Sequence, residues 1–325
     1  MKKISHILLL VAFLFVMNIQ AQNYTDALRY TTEELTGTAR FKAMSGAFGA
    51  LGGDPSALNI NPAGSAVFSA SEISFSLNNN NQKRNITFLD RNHKQSNNDH
   101  FGLVLTLPDA SPTFKRISFG FNYQLVKTFD NDKFSYSAYN SKGLDDYFLY
   151  YATKGNAGNP FSFDTFANGY NYRHSNQQEE IGEYYAKLGR TEGYAAQMAY
   201  LGLMANVISP QTLTATNTTY IPSGYNQERL ETYRIDRSGY INKYNFNFSS
   251  QIGDFIYLGV NLNVHNINEK TLYSLKDENF QSNNPLLRYA NHKQYINTLG
   301  EGISLQLGSI IKITDDLRVG VSYQS

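Results

Sequence analysis

Six histidines are the first groups to test for chemistry: His6, His93, His100, His174, His265 and His292. A metal or general-base site needs such groups on one face, as H-x-x-x-H or H-E-x-x-H would place them. None of the six is so spaced. The chain has no Cys, so it offers no thiolate ligand, no Cys nucleophile and no disulfide. A Ser/His/Asp site would have to arise from one inward-facing His and unplaced acids. The sequence therefore marks no catalytic residue, no metal ligand and no cofactor, and the chain reads as not an enzyme. Glycines at 46, 49, 52 and 53 suggest a phosphate cradle, but their spacing is G-x-x-G-x-x-G-G rather than G-x-G-x-x-G. No strand precedes them and no Lys-Ser/Thr follows. They read instead as small residues that let backbone lie against backbone. The stretch Gln178 to Ile208 carries an apolar surface broken at Gly189–Gly193. It reads either as a helical pair packed on itself as a lid or as a groove that captures an amphiphile. The groove would use Tyr184, Leu188, Met198, Leu201 and Met204, Met being well suited to adaptable binding. Glu179, Glu180 and Glu183 read as a solvated face.

The elements that would position these groups are strands. Seven runs alternate with period two, at 71–79, 99–107, 116–129, 237–252, 255–269, 293–312 and 316–325. One face of each is apolar: Ile73, Phe75 and Leu77 in the first, Phe119, Phe121 and Tyr123 in the third, Leu258, Val260 and Leu262 in the fifth. The other face is Ser, Gly, Asn and Gln, almost without charge. Charged residues are 17% of the chain and aromatics 14%, with 24 Tyr, 21 Phe and no Trp. Soluble domains carry roughly 25% charge. Strands of about ten residues, apolar outward and polar inward, are the unit of an outer-membrane barrel, with Tyr and Phe supplying the interfacial girdles. Short and long connections alternate along the runs, as periplasmic turns and extracellular loops do. An odd strand number leaves an unpaired edge in lipid, so the expectation is that strands beyond Ser325 complete the barrel.

Residues 1–21 read as a signal peptide, with Lys2 and Lys3, an apolar Ile7–Val16 run and cleavage after Ala21. Without those two lysines the balance is 26 basic to 27 acidic residues. That excludes a cationic footprint for nucleic acid. After residue 21 no apolar run is long enough for a transmembrane helix. The remaining divisions are 22–69 as an N-terminal plug, 70–129 and 237–325 as barrel strands, and 130–236 as one large extracellular insertion with helices. Within the plug, Thr25-Asp26 predicts a helix through Leu35. Asp54 predicts a cap with Pro55 at the first helical position, and Asn61 an extended residue before Pro62.

The stretch RFKAMSGAFGALGGDPSALNINPAG at 40–64, with its Gly-rich run ending in Asn-Pro-Ala, resembles the long-chain fatty acid transporter family of Gram-negative outer membranes, the FadL/TodX type. The strand order after it agrees, including GISLQLGSIIKITDDLRVGVSYQS at 302–325, and the resemblance covers about 37–130 and 237–325. It implies an all-β fold, an antiparallel 14-stranded barrel of which seven strands are present, with an N-terminal hatch inside. It further implies uptake of a hydrophobic small-molecule ligand through the hatch, lateral exit through the wall, and outer-membrane lipid as surroundings of a monomer. On the residues present, the ligand path would run past Phe41, Met44, Phe48 and Leu51, with Asn61, Pro62 and Ala63 closing the hatch. The family's ligand-capturing loop follows a later strand, so its position does not transfer to 130–236. The polar inward faces favour an alternative, a porin with a wet lumen. A non-transporting barrel partner of a secretion system is a third reading.

Overall fold

A computed structural model describes residues 24–86, 89–108, 110–130, 132–172, 178–223, 228–278 and 288–325. The expected signal peptide lies outside the described residues. All seven period-two runs are strands of one antiparallel sheet. The strands are β1 (Glu72–Ile86), β2 (Leu89–Pro108), β3 (Phe114–Thr128), β4 (Asp132–Asn140), β7 (Arg229–Ile252), β8 (Ile256–Glu278), β9 (Ala290–Lys312) and β10 (Arg318–Gln324). They pair in the order β1-β2-β3-β7-β8-β9-β10, and β4 also pairs with β7. The sheet is open: among the described residues β1 and β10 pair with one neighbour each.

Several strands run well past the alternating segments. β7 begins at Arg229, not 237, β8 continues to Glu278, and β1 and β2 stay paired out to Ile86 and Leu89. The reason lies in solvation. Beyond the apolar rows both faces are polar, so the alternation fades while the backbone ladder continues. β4 takes over from β3 beside β7 after a break at Phe129–Asp130, where the Phe129 N–H donates to the Gly239 carbonyl at 2.8 Å. The insertion proper thus begins and ends within strands. Its body comprises α3 (Leu144–Lys154), α4 (Asp164–Tyr172), α5 (Gln178–Thr191), α6 (Tyr194–Met204) and the small hairpin of β5 (Ile208–Pro210) and β6 (Tyr220–Pro222).

The polarity of the sheet is inverted. Ile73 is 69% exposed and Ile303 75%, and Phe119, Phe246, Phe248, Leu258, Leu262 and Leu305 are exposed on the same face. Asn122, Asn245, Asn261, Asn263, Ser118 and Ser249 are buried on the other. A core between two sheets would bury the first group. Here those residues form ladders in the open, with Phe121 and Phe246 at 5.4 Å between ring centroids, Phe119 and Phe248 at 5.3 Å, and Tyr123 and Tyr244 at 5.3 Å. The apolar rows run from Ile252, Ile256 and Ile311 to Tyr244, Val264 and Ile303, nine residues per strand. That is the length a strand tilted by about 45° needs to cross a hydrocarbon core.

The sheet curls around its polar face. Lys243 on β7 donates to Gln324 on β10 at 3.3 Å, although two strands lie between them. Three strand spacings are about 14 Å in a flat sheet, so the two side chains meet only across a concave surface. The chain from 24 to 68 occupies that concavity. It contains α1 (Tyr24–Thr31), α2 (Ala39–Ala43) and two 3-10 helices, Pro55–Asn59 and Pro62–Val67. No helix among the described residues is long and apolar enough to cross a membrane.

Candidate functional site: the polar concavity and the segment that fills it

Each short helix of residues 36–68 is started by a side chain. Thr38 Oγ1 accepts from the Phe41 N–H at 3.1 Å and donates to Asp54 at 2.6 Å. Asp54 accepts from the Ser56 N–H at 2.9 Å, and Pro55 takes the first helical position. Asn61 is extended, at φ −145° and ψ 112°, and its Oδ1 accepts from the Ala63 N–H at 3.0 Å. The predicted cap at Asp54 and the predicted extended shape of Asn61 are therefore present, and Asn61 caps its turn as well. α1 ends at Thr31, four residues before the expected Leu35.

Asn61 does more than start a turn. It is 1% exposed, and its Nδ2 donates to the Gly49 carbonyl at 2.7 Å and to the Ser309 carbonyl of β9 at 3.0 Å. One amide thus ties two parts of the segment to the wall. The wall answers with its own amides. Asn247 donates to the Pro62 carbonyl at 2.9 Å, Asn261 to the Leu58 carbonyl at 2.7 Å, and Gln306 to the Asn59 and Ile60 carbonyls at 3.2 and 3.1 Å. Ser65 bonds to Asn247 and Ser249. Behind them the amides join across strands, Asn122 to Asn245 at 3.0 Å, Asn245 to Asn263 at 2.7 Å, and Asn261 to Gln306 at 3.0 Å. These bonds satisfy backbone carbonyls of short helices that would be costly if buried alone.

The inward glycines make this approach possible. A Cβ at Gly102 would strike Pro55, at Gly120 Leu58, at Gly259 the Pro62 backbone, at Gly308 the Asn61 side chain, and at Gly320 the Gly49 carbonyl. Five strands thus each carry a glycine where the segment touches. Small apolar contacts complete the seat: Ala63 and Ala66 on Tyr257 and Ile310, and Leu58 and Phe68 on Val104.

Of the residues expected on a ligand path, Phe41, Phe48 and Leu51 come together, with Phe41 and Phe48 rings 5.3 Å apart and Ala57 beneath. Arg40 lies over the Phe48 ring at 5.4 Å. They pack on one another within the segment, and Met44 stands apart, exposed. Asn61, Pro62 and Ala63 are buried at the junction with β7, β8 and β9. In the insertion, Leu188 and Met198 are buried, and Tyr184, Leu201 and Met204 pack around them in one core with Phe148, Phe166 and Tyr200. The helical pair therefore packs on itself. Leu201 also lines a cavity of about 320 Å³, shared with Phe148 and His292.

Two ionic knots escaped the sequence reading. Glu269, 1% exposed, accepts from Tyr30 at 2.6 Å and Arg29 at 3.3 Å, which pins α1 into the concavity. Arg229, also buried, lies 3.0 Å from Asp145 and donates to the Ser141 carbonyl at 2.7 Å, while Asp277 accepts from the Leu144 N–H at 2.7 Å. This second knot roots the insertion on the sheet. Burial pushes the Asp145 carboxyl up against the opposing pull of Arg229, and burial raises Asp277 to about 6. Both knots join residues more than eighty positions apart, and no local pattern announces them. The described residues contain no group of three or more His, Asp or Glu able to hold a metal ion. No family model, no curated protein and no solved structure matches the chain.

Proposed function

We propose that the sheet is part of an outer-membrane β-barrel in which residues 36–68 act as a hatch, admitting hydrophobic small molecules such as long-chain fatty acids and releasing them sideways through the wall. The observation that carries this reading is the inverted polarity: apolar side chains exposed on all seven strands, amides and hydroxyls buried. In water such a face would be a large aggregation-prone patch. In a bilayer it is the surface that belongs against acyl chains. The fit of the hatch supports gating over mere filling. It is held by polar bonds and glycine contacts rather than a deep apolar core, so it can shift without exposing much apolar surface.

The test is uptake of a labelled long-chain fatty acid by cells carrying the protein, beside heat-modifiability as a folding readout. Asn61→Ala with Pro62→Ala should change uptake while the folded band persists, and Gly52→Val, whose Cβ would strike Gly64 and Val67, should slow the same step. Unchanged uptake in all variants with folding intact rejects the hatch mechanism. The polar wall favours a second reading, a porin, which predicts ion conductance in planar bilayers that rises when residues 36–68 are removed.

A further inference from the structure

Past the apolar rows the outward face changes character at a break in the wall. β3 ends at Thr128 and β4 begins at Asp132, and Gly239 on the facing strand has φ +120°. Its Cβ position is filled by the Asn268 carbonyl, so only glycine fits the bend. The bend opens a recess of about 750 Å³. Its floor is set by register: Lys133 opposes Asp236, Asp236 opposes Leu272, and Leu272 opposes Tyr295, with Lys270 one pleat nearer the apolar rows.

The charges there are unevenly engaged. Asp236 accepts from Arg234 at 2.7 Å, and Asp130 accepts from the Gly239 N–H at 3.1 Å. Arg237 faces inward toward Glu269, its Nε 3.6 Å from the carboxylate. Lys133 and Lys270 are exposed and form no ion pair among the described residues. The recess therefore presents two free cations, with an exposed Tyr295 ring and Leu272 beside them.

Height and size narrow the occupant. Lys270 lies six residues beyond Val264, about 20 Å along the strand, and about 14 Å above the hydrocarbon edge at the usual tilt. A glycerophospholipid phosphate sits close to its acyl chains and would reach this level poorly. The recess also far exceeds a bare phosphate, and an exposed aromatic ring is a stacking surface for a sugar. From these features, and resting on the membrane reading above, we infer that the recess binds the phosphorylated saccharide headgroup of an outer-leaflet glycolipid. Lys133 and Lys270 take the phosphate charge, and Tyr295 packs on the sugar ring.

The full chain, reconstituted in phosphatidylcholine vesicles, is titrated with rough-type lipopolysaccharide, with its phosphatase-treated form and with phosphatidylglycerol. Intact lipopolysaccharide should bind preferentially. Lys133→Gln with Lys270→Gln should weaken it roughly thirtyfold, as two basic residues near a charged surface imply, while Lys→Arg at both retains it. Tyr295→Ala should weaken intact and dephosphorylated forms alike. Equal binding of the dephosphorylated form, equal binding of phosphatidylglycerol, displacement by millimolar inorganic phosphate, or an unaffected Gln variant each overturns the inference. A chain that enters vesicles yet shows no preference defeats this inference alone; a chain that never enters them defeats the membrane reading with it.

Discussion

Asn61 and Gly259 show what single residues contribute here. Asn61→Ala would leave the Gly49 and Ser309 carbonyls without their donor, at about 1–3 kcal/mol for buried groups. Thermal unfolding in detergent should record that loss, while Asn61→Asp, which keeps the acceptor to Ala63 but not the donors, should fall no less. Gly259→Val drives a side chain into the Pro62 backbone. Overpacking of this kind costs about 1–3 kcal/mol, and the segment 36–68 should open to protease at sites in 40–60 before the sheet unfolds. The cap at Asp54 and the extended Asn61 were legible because each needs only neighbours in sequence. The glycines were visible as inward residues, but their partners were not, since a glycine carries no mark of what fills its space. The amide rows had the same ambiguity. Asn and Ser on an inward face read as a wet lumen, yet Asn245 is 0% exposed and bonded to Asn122 and Asn263. An arginine at Asn245 therefore carries a burial penalty of its own and cannot serve as a harmless control.

At the level of elements, the strands were legible where their two faces meet different media and illegible where they do not. From Tyr244 to Ile252 the faces differ and the period is two. From Arg229 to Gly239 charge appears on both faces, the period dissolves, and a strand reads as loop. The proposed lipid face is open to measurement. Phe121→Arg or Leu262→Arg should cost about 2–4 kcal/mol at mid-bilayer depth, read as lost insertion or a lowered unfolding midpoint in vesicles. Ser274→Arg lies on the same face beyond the apolar rows, between Arg234 and Lys293, and should cost about 1 kcal/mol or less from like-charge crowding alone. Equal sensitivity at all three sites would mean that the apolar face packs against protein.

For the molecule as a whole, the question is how a domain-sized insertion is borne by a sheet that pairs without it. Among the described residues the core of α3 to α6 takes Ala290 and, at its margin, Leu275 from the sheet, Tyr147 and Phe148 pack on His292 of β9 at 5.6 Å, and β4 pairs with β7 across its root. Arg229, Asp145 and Asp277 add a polar lock to this attachment. Asp277 is buried, with Asp145 facing it from the insertion and Arg229 and Glu231 from β7. Its folded pKa, near 6, lies above the ordinary carboxylate value of 3.8. The folded state therefore holds a proton that the unfolded state has released between about pH 4 and 6. Stability falls as pH rises through that window, by at most about 3 kcal/mol for a shift of this size. The insertion should consequently seat more firmly at pH 5 than at pH 7.5, and limited proteolysis within 155–160 or 210–216 should slow as the pH drops. Asp277→Asn keeps an acceptor for the Leu144 N–H but carries no charge, so it should weaken the pH dependence, leaving the share that the buried Asp145 carries. A wild-type insertion that is equally protected at both pH values would show that the knot holds its charge without strain, and that the root is fixed by the pairing of β4 with β7 and the packing on Ala290 and His292.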